Sequence, residues 1–399
     1  MADHARADAH ITWTEAGRQI TAAWLSANEK PAPKTVTVVD DRLTADQAVR
    51  HAAQGTAMLW RGDFHNAKQL LSAIDRRLTK GAKGGKGAKK SASRGPESPS
   101  EEFYRIRQAR AQRSRMLSLV LIPLEFDGSA SDTGAAIPLP RAPHVSDAVA
   151  FAYATQPGFG AALAAVSLQE LTGVLSAHQW FLGGVDVPSL GAKIHPHYGT
   201  FLPTRHEYVD LVAQAPLPSR ELAFDIGVGT GVLSAVLAKR GVSRVVGTDI
   251  HRRAVDCAND NFARLGIAKV ATAQLGSMFP DGRAPLIVCN PPWLPGSAAS
   301  TLDAAVYDPG SQMLLQFLSG LPEHLSDGGE GWLVLSDLAE LLGLRTREML
   351  LEAIATAGLE VVDRLDTVPT HRRARDTDDL LHAARSREVT SLWRLRVAR

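Results

Sequence analysis

ELAFDIGVGTGVLSAVLAKRG, residues 221–241, decides the fold of this chain. Leu222–Ile226 is an apolar run with the length of a buried strand. Gly227, Gly229 and Gly231 come next. Val232, Leu233, Val236 and Leu237 then fall on one side of a helix, which Gly241 ends with Lys239 and Arg240 in the last turn. A glycine-rich turn between a strand and a helix lets a ligand approach the main chain closely. From about residue 191 onward, short β runs alternate with helical stretches, which implies βαβ units and a parallel sheet.

The turn narrows the ligand. A dinucleotide site needs G-x-G-x-x-G. Here Val232 takes the place of the third glycine, and the pattern is G-x-G-x-G behind Asp225, which argues against NAD. The next run, RVVGTDI (244–250), ends on Asp249, whose carboxylate can accept hydrogen bonds from both hydroxyls of a ribose. Further on, VCNPPWLPG (288–296) closes an apolar run on Asn290, then places Pro291, Pro292 and Trp293. Proline cannot donate to a sheet ladder and fixes its own φ, so the strand stops in a stiff turn.

DIGVGTG, then TDI, then VCNPPW resembles a class I S-adenosylmethionine-dependent methyltransferase. More narrowly, it resembles the "methyltransferase small" group with its N-P-P-[YFW] motif. That group includes methyltransferases of rRNA and tRNA base nitrogens, DNA N6-adenine methyltransferases and the release-factor glutamine methyltransferase. The resemblance covers roughly residues 191–399 and does not reach the first 190. It implies a Rossmann-like, seven-stranded, mostly parallel sheet with a reversed final pair of strands, and S-adenosyl-L-methionine as cofactor.

Carried over residue by residue, Asp225, Gly227, Gly229, Thr230 and Gly231 match the loop that holds the methionine part of the cofactor. Asp249 matches the ribose-binding acid, with Ile250 beside the adenine. Ser277 stands where the family usually has an Asp at the adenine amino group. HPHYGTFLPTRHEYVDLV (195–212) resembles a segment that closes over the active site, with Phe201, Pro203 and Thr204 as its candidate residues. His195 and His197 lack further ligands nearby, and no metal is expected.

The Asn290 turn has a chemical rationale. A nitrogen conjugated to a π system, as in an exocyclic base amine or a carboxamide, is a poor nucleophile because its lone pair is delocalised. The Asn290 side-chain oxygen and the Pro291 carbonyl can each accept one N–H bond, polarising that nitrogen and aiming its lone pair at the methyl group. Pro291 and Pro292 keep both acceptors in place, and Trp293 can stack on a planar target.

The remaining chain is read as an accessory or substrate-recognition region over 1–190, α-rich, ahead of a methyltransferase domain over 191–399. KTVTVVDD (34–41) reads as a strand. Thr44 caps a helix through about Gly55, 64–78 reads as a second helix and 101–116 as a basic one carrying Arg105, Arg107, Arg110, Arg113 and Arg115. Residues 80–101 contain no apolar residue larger than Ala, so disorder is expected. The lysines there (Lys80, Lys83, Lys86, Lys89, Lys90) and Arg372, Arg373 and Arg375 of a late charged loop are candidate phosphate contacts.

These basic stretches favour an RNA substrate, a base of rRNA or tRNA. The alternatives are glutamine methylation in a translation protein, or a non-catalytic nucleic-acid-binding protein that keeps the fold. The 399 residues carry a formal net charge of only +2, too small to argue from by itself. Cys257 and Cys289 are the two cysteines, which excludes a disulfide framework and fits a reducing cytoplasm. The start lacks the apolar core of a signal peptide, and no run approaches a membrane span, so a cytoplasmic protein with no membrane partner is expected.

Overall fold

The structure is a computed structural model; it describes residues 9–84, 98–127, 134–296, 305–369 and 379–399. The chain divides into two compact units, Met1–Glu97 with Tyr104–Gln179, and Ser98–Phe103 with Trp180–Arg399.

The first part of the chain forms β1 (His10–Glu15), β2 (Arg18–Trp24), β3 (Thr35–Val39), α1 (Ala45–Ala53), β4 (Thr56–Trp60), α2 (Phe64–Gly84), α3 (Pro99–Leu117), β5 (Val120–Phe126), β6 (Ala135–Ala136), α4 (Ser146–Tyr153), β7 (Leu163–Ser167) and α5 (Leu168–Gly183). Thr44 caps α1 through a reciprocal capping box with Gln47, as the spacing implies. The expected helices are present, together with a sheet far larger than the single strand expected at 34–41. The strands make a seven-stranded mixed sheet in the order β1-β2-β7-β5-β4-β3, with β6 on β5. The missed strands TAMLW, VLIPLEF and LAAVS are buried at nearly every position. Short apolar runs of that kind do not alternate, so their periodicity does not separate them from buried helix.

The edges of the expected disordered insert are also corrected. α2 continues to Gly84 and α3 starts at Pro99. Lys and Ala are good helix formers and extend a helix already nucleated upstream. Residues 85–97, with Lys86, Lys89 and Lys90, and 370–378, with Arg372, Arg373 and Arg375, lie outside the described residues.

The later part of the chain forms the hairpin β8 (Val185–Val187) and β9 (Ala192–Ile194), then α6 (Glu207–Gln214), β10 (Leu222–Ile226), α7 (Val232–Lys239), β11 (Arg244–Asp249), α8 (Arg252–Arg264), β12 (Ala271–Leu275) and β13 (Ala284–Cys289). A 3₁₀ turn over Pro309–Ser311 leads into α9 (Gln312–His324), β14 (Leu325–Ser336), α10 (Leu338–Leu341), α11 (Arg347–Thr356), β15 (Leu359–Thr367), α12 (His382–Arg385) and β16 (Thr390–Val397). The expected seven-stranded sheet is present, in the order β12-β11-β10-β13-β14-β16-β15. β10 runs parallel to β11 and β13, and β16 runs antiparallel to β14 and β15. One apolar layer holds Val236, Phe262 and Trp332, and the other holds Phe317, Leu333 and Trp393.

The order reverses at β10, whose neighbours are β11 on one side and β13 on the other. In open parallel sheets the crevice for a ligand opens at that reversal, beyond the carboxyl ends of the strands. Ile226 pairs with Cys289, so Gly227 and Asn290, one residue further along each strand, leave the sheet side by side.

Candidate active site at the reversal of strand order

All three glycines of the first crossover are left-handed, with φ of 75° at Gly227, 53° at Gly229 and 80° at Gly231. L side chains rarely adopt that backbone. A Cβ at Gly231 would also lie 2.6 Å from the Phe262 ring, so this glycine sets the approach of α7 to α8. The amides of Gly227 and Val228 both donate to the Thr248 carbonyl at 2.9 Å, tying the turn to β11. Thr230 is buried, and its carbonyl accepts from Asn261 Nδ2 at 3.1 Å.

The two acids differ in exposure. Asp225 is fully buried and its Oδ2 accepts from the Ser234 amide at 3.0 Å and the Ser234 hydroxyl at 2.6 Å. Burial pushes its carboxyl up to about 6, against the pull of the Ser234 bonds, and the Asp249 charge adds to the rise. Asp225 therefore braces α7 against the turn through this oxygen. Asp249 is half-buried; Gly229 N donates to one oxygen at 3.2 Å and His251 N to the other at 2.9 Å. Each oxygen keeps a second lone pair for a hydroxyl donor. Ile250 beside it is 62% exposed, an apolar surface open at its outer side. Ser277 is exposed in the turn after β12, and that turn is anchored by Gly276 N to the Asp249 carbonyl at 3.0 Å.

At the end of β13 the turn is already internally bonded. Trp293 Nε1 donates to Asn290 Oδ1 at 2.8 Å. The Arg205 guanidinium lies 4.5 Å from the centre of the Trp293 ring. Arg205 is in turn held by Glu207 Oε1 at 2.6 Å and Glu388 Oε1 at 3.0 Å, and Glu388 accepts from the Ser336 hydroxyl at 2.6 Å. Both glutamates are buried, and their second oxygens have no hydrogen-bond partner among the described residues. Leu294 bridges to Tyr307, with Leu294 N to Val306 O at 3.2 Å and Asp308 N to Leu294 O at 2.9 Å. Asp308 then accepts from the amides of Met313 and Leu314, seating the start of α9.

The Asn290 oxygen accepts from the indole, and the Arg205 guanidinium lies over the Trp293 ring. Phe201 is half-buried, Pro203 buried and Thr204 exposed in the coil ahead of α6, and Arg205 is the residue of that coil that reaches the turn. Arg205, Glu207 and Glu388 were not singled out from sequence. Arg205 directly follows Thr204, but Glu388 carries no local signal and joins only through the fold. His195 Nδ1 lies 2.6 Å from the Phe181 carbonyl, and His197 Nε2 3.3 Å from Asp260. In α3, Arg113 is paired with Asp75, and Arg105, Arg107 and Arg110 each have a partner.

Residues 210–341 match the family described as Methyltransferase small domain. That match lies wholly within the C-terminal unit. The chain is similar to a putative protein N5-glutamine methyltransferase of Methanocaldococcus jannaschii, 29% identical over 153 residues, 36% of this chain and 75% of that protein. A release factor glutamine methyltransferase of Geobacter sulfurreducens is 30% identical over 197 residues, 45% of this chain and 65% of that protein. A tRNA1(Val) (adenine(37)-N6)-methyltransferase of Shewanella woodyi is 29% identical over 113 residues, 26% of this chain and 46% of that protein. The chain thus spans less than two thirds of the length of the latter two. Among the described residues no helix is long and apolar enough to cross a membrane.

Proposed function

We propose that the methyltransferase unit transfers a methyl group from S-adenosylmethionine to a planar, conjugated nitrogen. The observation that carries this is the pairing of Ile226 with Cys289, which sets the left-handed glycine turn beside Asn290. The residues present fit the cofactor. Asp249 keeps acceptor capacity for the ribose hydroxyls, Ile250 offers an apolar flank to the adenine, and the main chain of Gly227–Gly231 lines the approach of the methionine part. Ser277 is the candidate partner of the adenine amino group. Bound there, the cofactor supplies an electrophilic methyl group.

The chain's own residues handle the target nitrogen. Asn290 Oδ1 and the Pro291 carbonyl accept its two N–H bonds, and Pro291 and Pro292 hold both acceptors still, so no reorganisation is needed as positive charge builds. The Trp293 indole N–H satisfies Asn290 until the target arrives, and the target amine exchanges with it. Arg205 keeps Trp293 in register with Asn290. Phe201, Pro203 and Thr204 form the coil that carries Arg205 to the turn and border the entrance.

Two substrate classes present such a nitrogen. The first is an exocyclic amine of an rRNA or tRNA base, for which Trp293, with Arg205 over its ring, stands beside Asn290 as an aromatic neighbour. The second is a glutamine carboxamide in a translation protein; the specific observation favouring it is the longer match to the glutamine methyltransferases. Both are read as soluble cytoplasmic substrates. The test is radiolabelled methyl transfer from S-adenosylmethionine to total RNA and, separately, total protein, from cells lacking this chain. Label in RNA that Asn290→Ala abolishes establishes the base reading. Label in protein alone moves the assignment to glutamine, and label in neither overturns the enzyme reading.

A further inference from the structure

Helices α9 and α11 border a groove of about 500 Å³, where Leu315 and Leu318 of α9 and Met349 and Ala353 of α11 form the apolar part and Glu352 and Thr356 of α11 lie along the wall. At the Leu315, Met349 and Ala353 end it meets a second cavity of about 200 Å³, which Ser311, Leu344 and Arg345 help to line. The groove is open to solvent: Leu315 is 46% and Met349 58% exposed.

Arg345 is unusual for a lining residue. It is only 6% exposed, its Nη1 reaches the Ser311 hydroxyl at 3.5 Å, and its Nε and Nη2 have no hydrogen-bond partner among the described residues. The charges of Glu340 and Asp308 offset part of its own, but neither acid completes its hydrogen bonds. Asp308 is taken by the amides of Met313 and Leu314 at 3.0 and 3.2 Å, and both oxygens of Glu340 bind Arg347 at 2.9 Å. A guanidinium does not give up its proton in a protein, so the charge persists despite burial. A buried cation with unmade bonds is strongly unfavourable, and a ligand that completes the bonds recovers that energy.

We propose that this cavity binds a carboxylate carried on an aliphatic stem, the carboxylate on Arg345 and Ser311 and the stem along the α9–α11 groove. The planar fork of arginine matches two carboxylate oxygens. A single guanidinium balances a monoanion, whereas a phosphate dianion would leave excess negative charge beside Asp308 and Glu340. The apolar walls exclude a ligand that is polar throughout.

The shared chemistry has two sources, a free aliphatic acid or the carboxyl end of an apolar peptide. Titration calorimetry on the full chain separates them, with octanoate, 1-octanol, acetyl-trileucine and acetyl-trileucine amide as probes. Binding of octanoate, or of the peptide acid alone, is expected, and the alcohol and the amide are expected to bind at least tenfold more weakly. Arg345→Met should lose at least tenfold in affinity for the acid. Leu315→Trp fills the groove without touching the charge and should weaken binding too, which keeps the test if Arg345→Met does not fold. Binding by neither acid, equal binding of acid and alcohol, or unchanged affinity in both variants overturns the site.

Discussion

The two seven-stranded sheets differ least in architecture and most in the connections that leave their parallel strands. β3 leads into α1, and β4 into α2, without a single left-handed residue; β10 leads into α7 through Gly227, Gly229 and Gly231, all left-handed. In the first sheet the left-handed positions sit elsewhere: Ala16 and Gly17 turn the β1–β2 hairpin, Glu29 lies between β2 and β3, Gly55 joins α1 to β4, Arg141 precedes α4, and Gly158 and Gly160 precede β7. Similar α/β layers thus carry a ligand turn in one case and plain connections in the other. Function resides in the crossover and not in the sheet.

The sharpest way to break this contrast is Asn290→Ala. If chemistry is confined to the β10–β13 reversal, methyl transfer falls by about 2–4 kcal/mol of transition-state stabilisation while cofactor affinity holds, as when one preorganised polar group is removed. Single-turnover rates beside equilibrium cofactor binding separate the two effects, and near-normal turnover would refute the role of Asn290.

Asp225 offers the next largest effect. Its carboxyl is raised to about 6 in the folded chain, so between about pH 4 and pH 6 the folded state holds a proton that the unfolded state has lost. Stability therefore falls as pH rises through that window, by up to about 3 kcal/mol for a shift of this size. Denaturant midpoints across pH 4–7 should show the fall in the natural chain and lose it in Asp225→Asn, whose side-chain oxygen still accepts from Ser234. An identical pH profile in the variant would remove Asp225 from the account.

Asp249→Ala should weaken cofactor binding by about 1.5–3 kcal/mol, the range for hydrogen bonds to a charged group. Calorimetric titration with S-adenosylhomocysteine measures it, and unchanged affinity would count against the ribose role.

The smallest effect compares the sheets directly. Gly55 and Gly231 have similar φ, 76° and 80°, but a Cβ at Gly55 meets nothing within 4 Å while one at Gly231 lies 2.6 Å from Phe262. Gly55→Ala should cost about 1 kcal/mol from the left-handed backbone alone. Gly231→Ala should cost about 1–2 kcal/mol more, because Phe262 must shift within a packed core. Equal losses in urea unfolding would show that close approach does not matter at the crossover.

The C-terminal unit was largely legible because its signals are local. A strand, three glycines and a helix occupy one stretch of chain, and Asp249 and Asn290 each end an apolar run. The expected reversed final pair of strands is present, at Leu359–Thr367 and Thr390–Val397. The N-terminal sheet was not legible, because β4, β5 and β7 are buried on both faces and carry no alternation to read.

Sequence alone therefore decided the class of the C-terminal unit, its cofactor turn and the stiff turn at Asn290, since glycine and proline act on their own φ wherever they stand. Only tertiary structure decided how those parts meet. It turned Asp225 inward onto Ser234, put the Trp293 indole on Asn290, and brought Glu388 from the far end of the chain to hold Arg205 over that ring. The physical reason is range: backbone preference is set by neighbours in the chain, whereas buried charges and rings find partners across the sheet, and no local pattern records which ones.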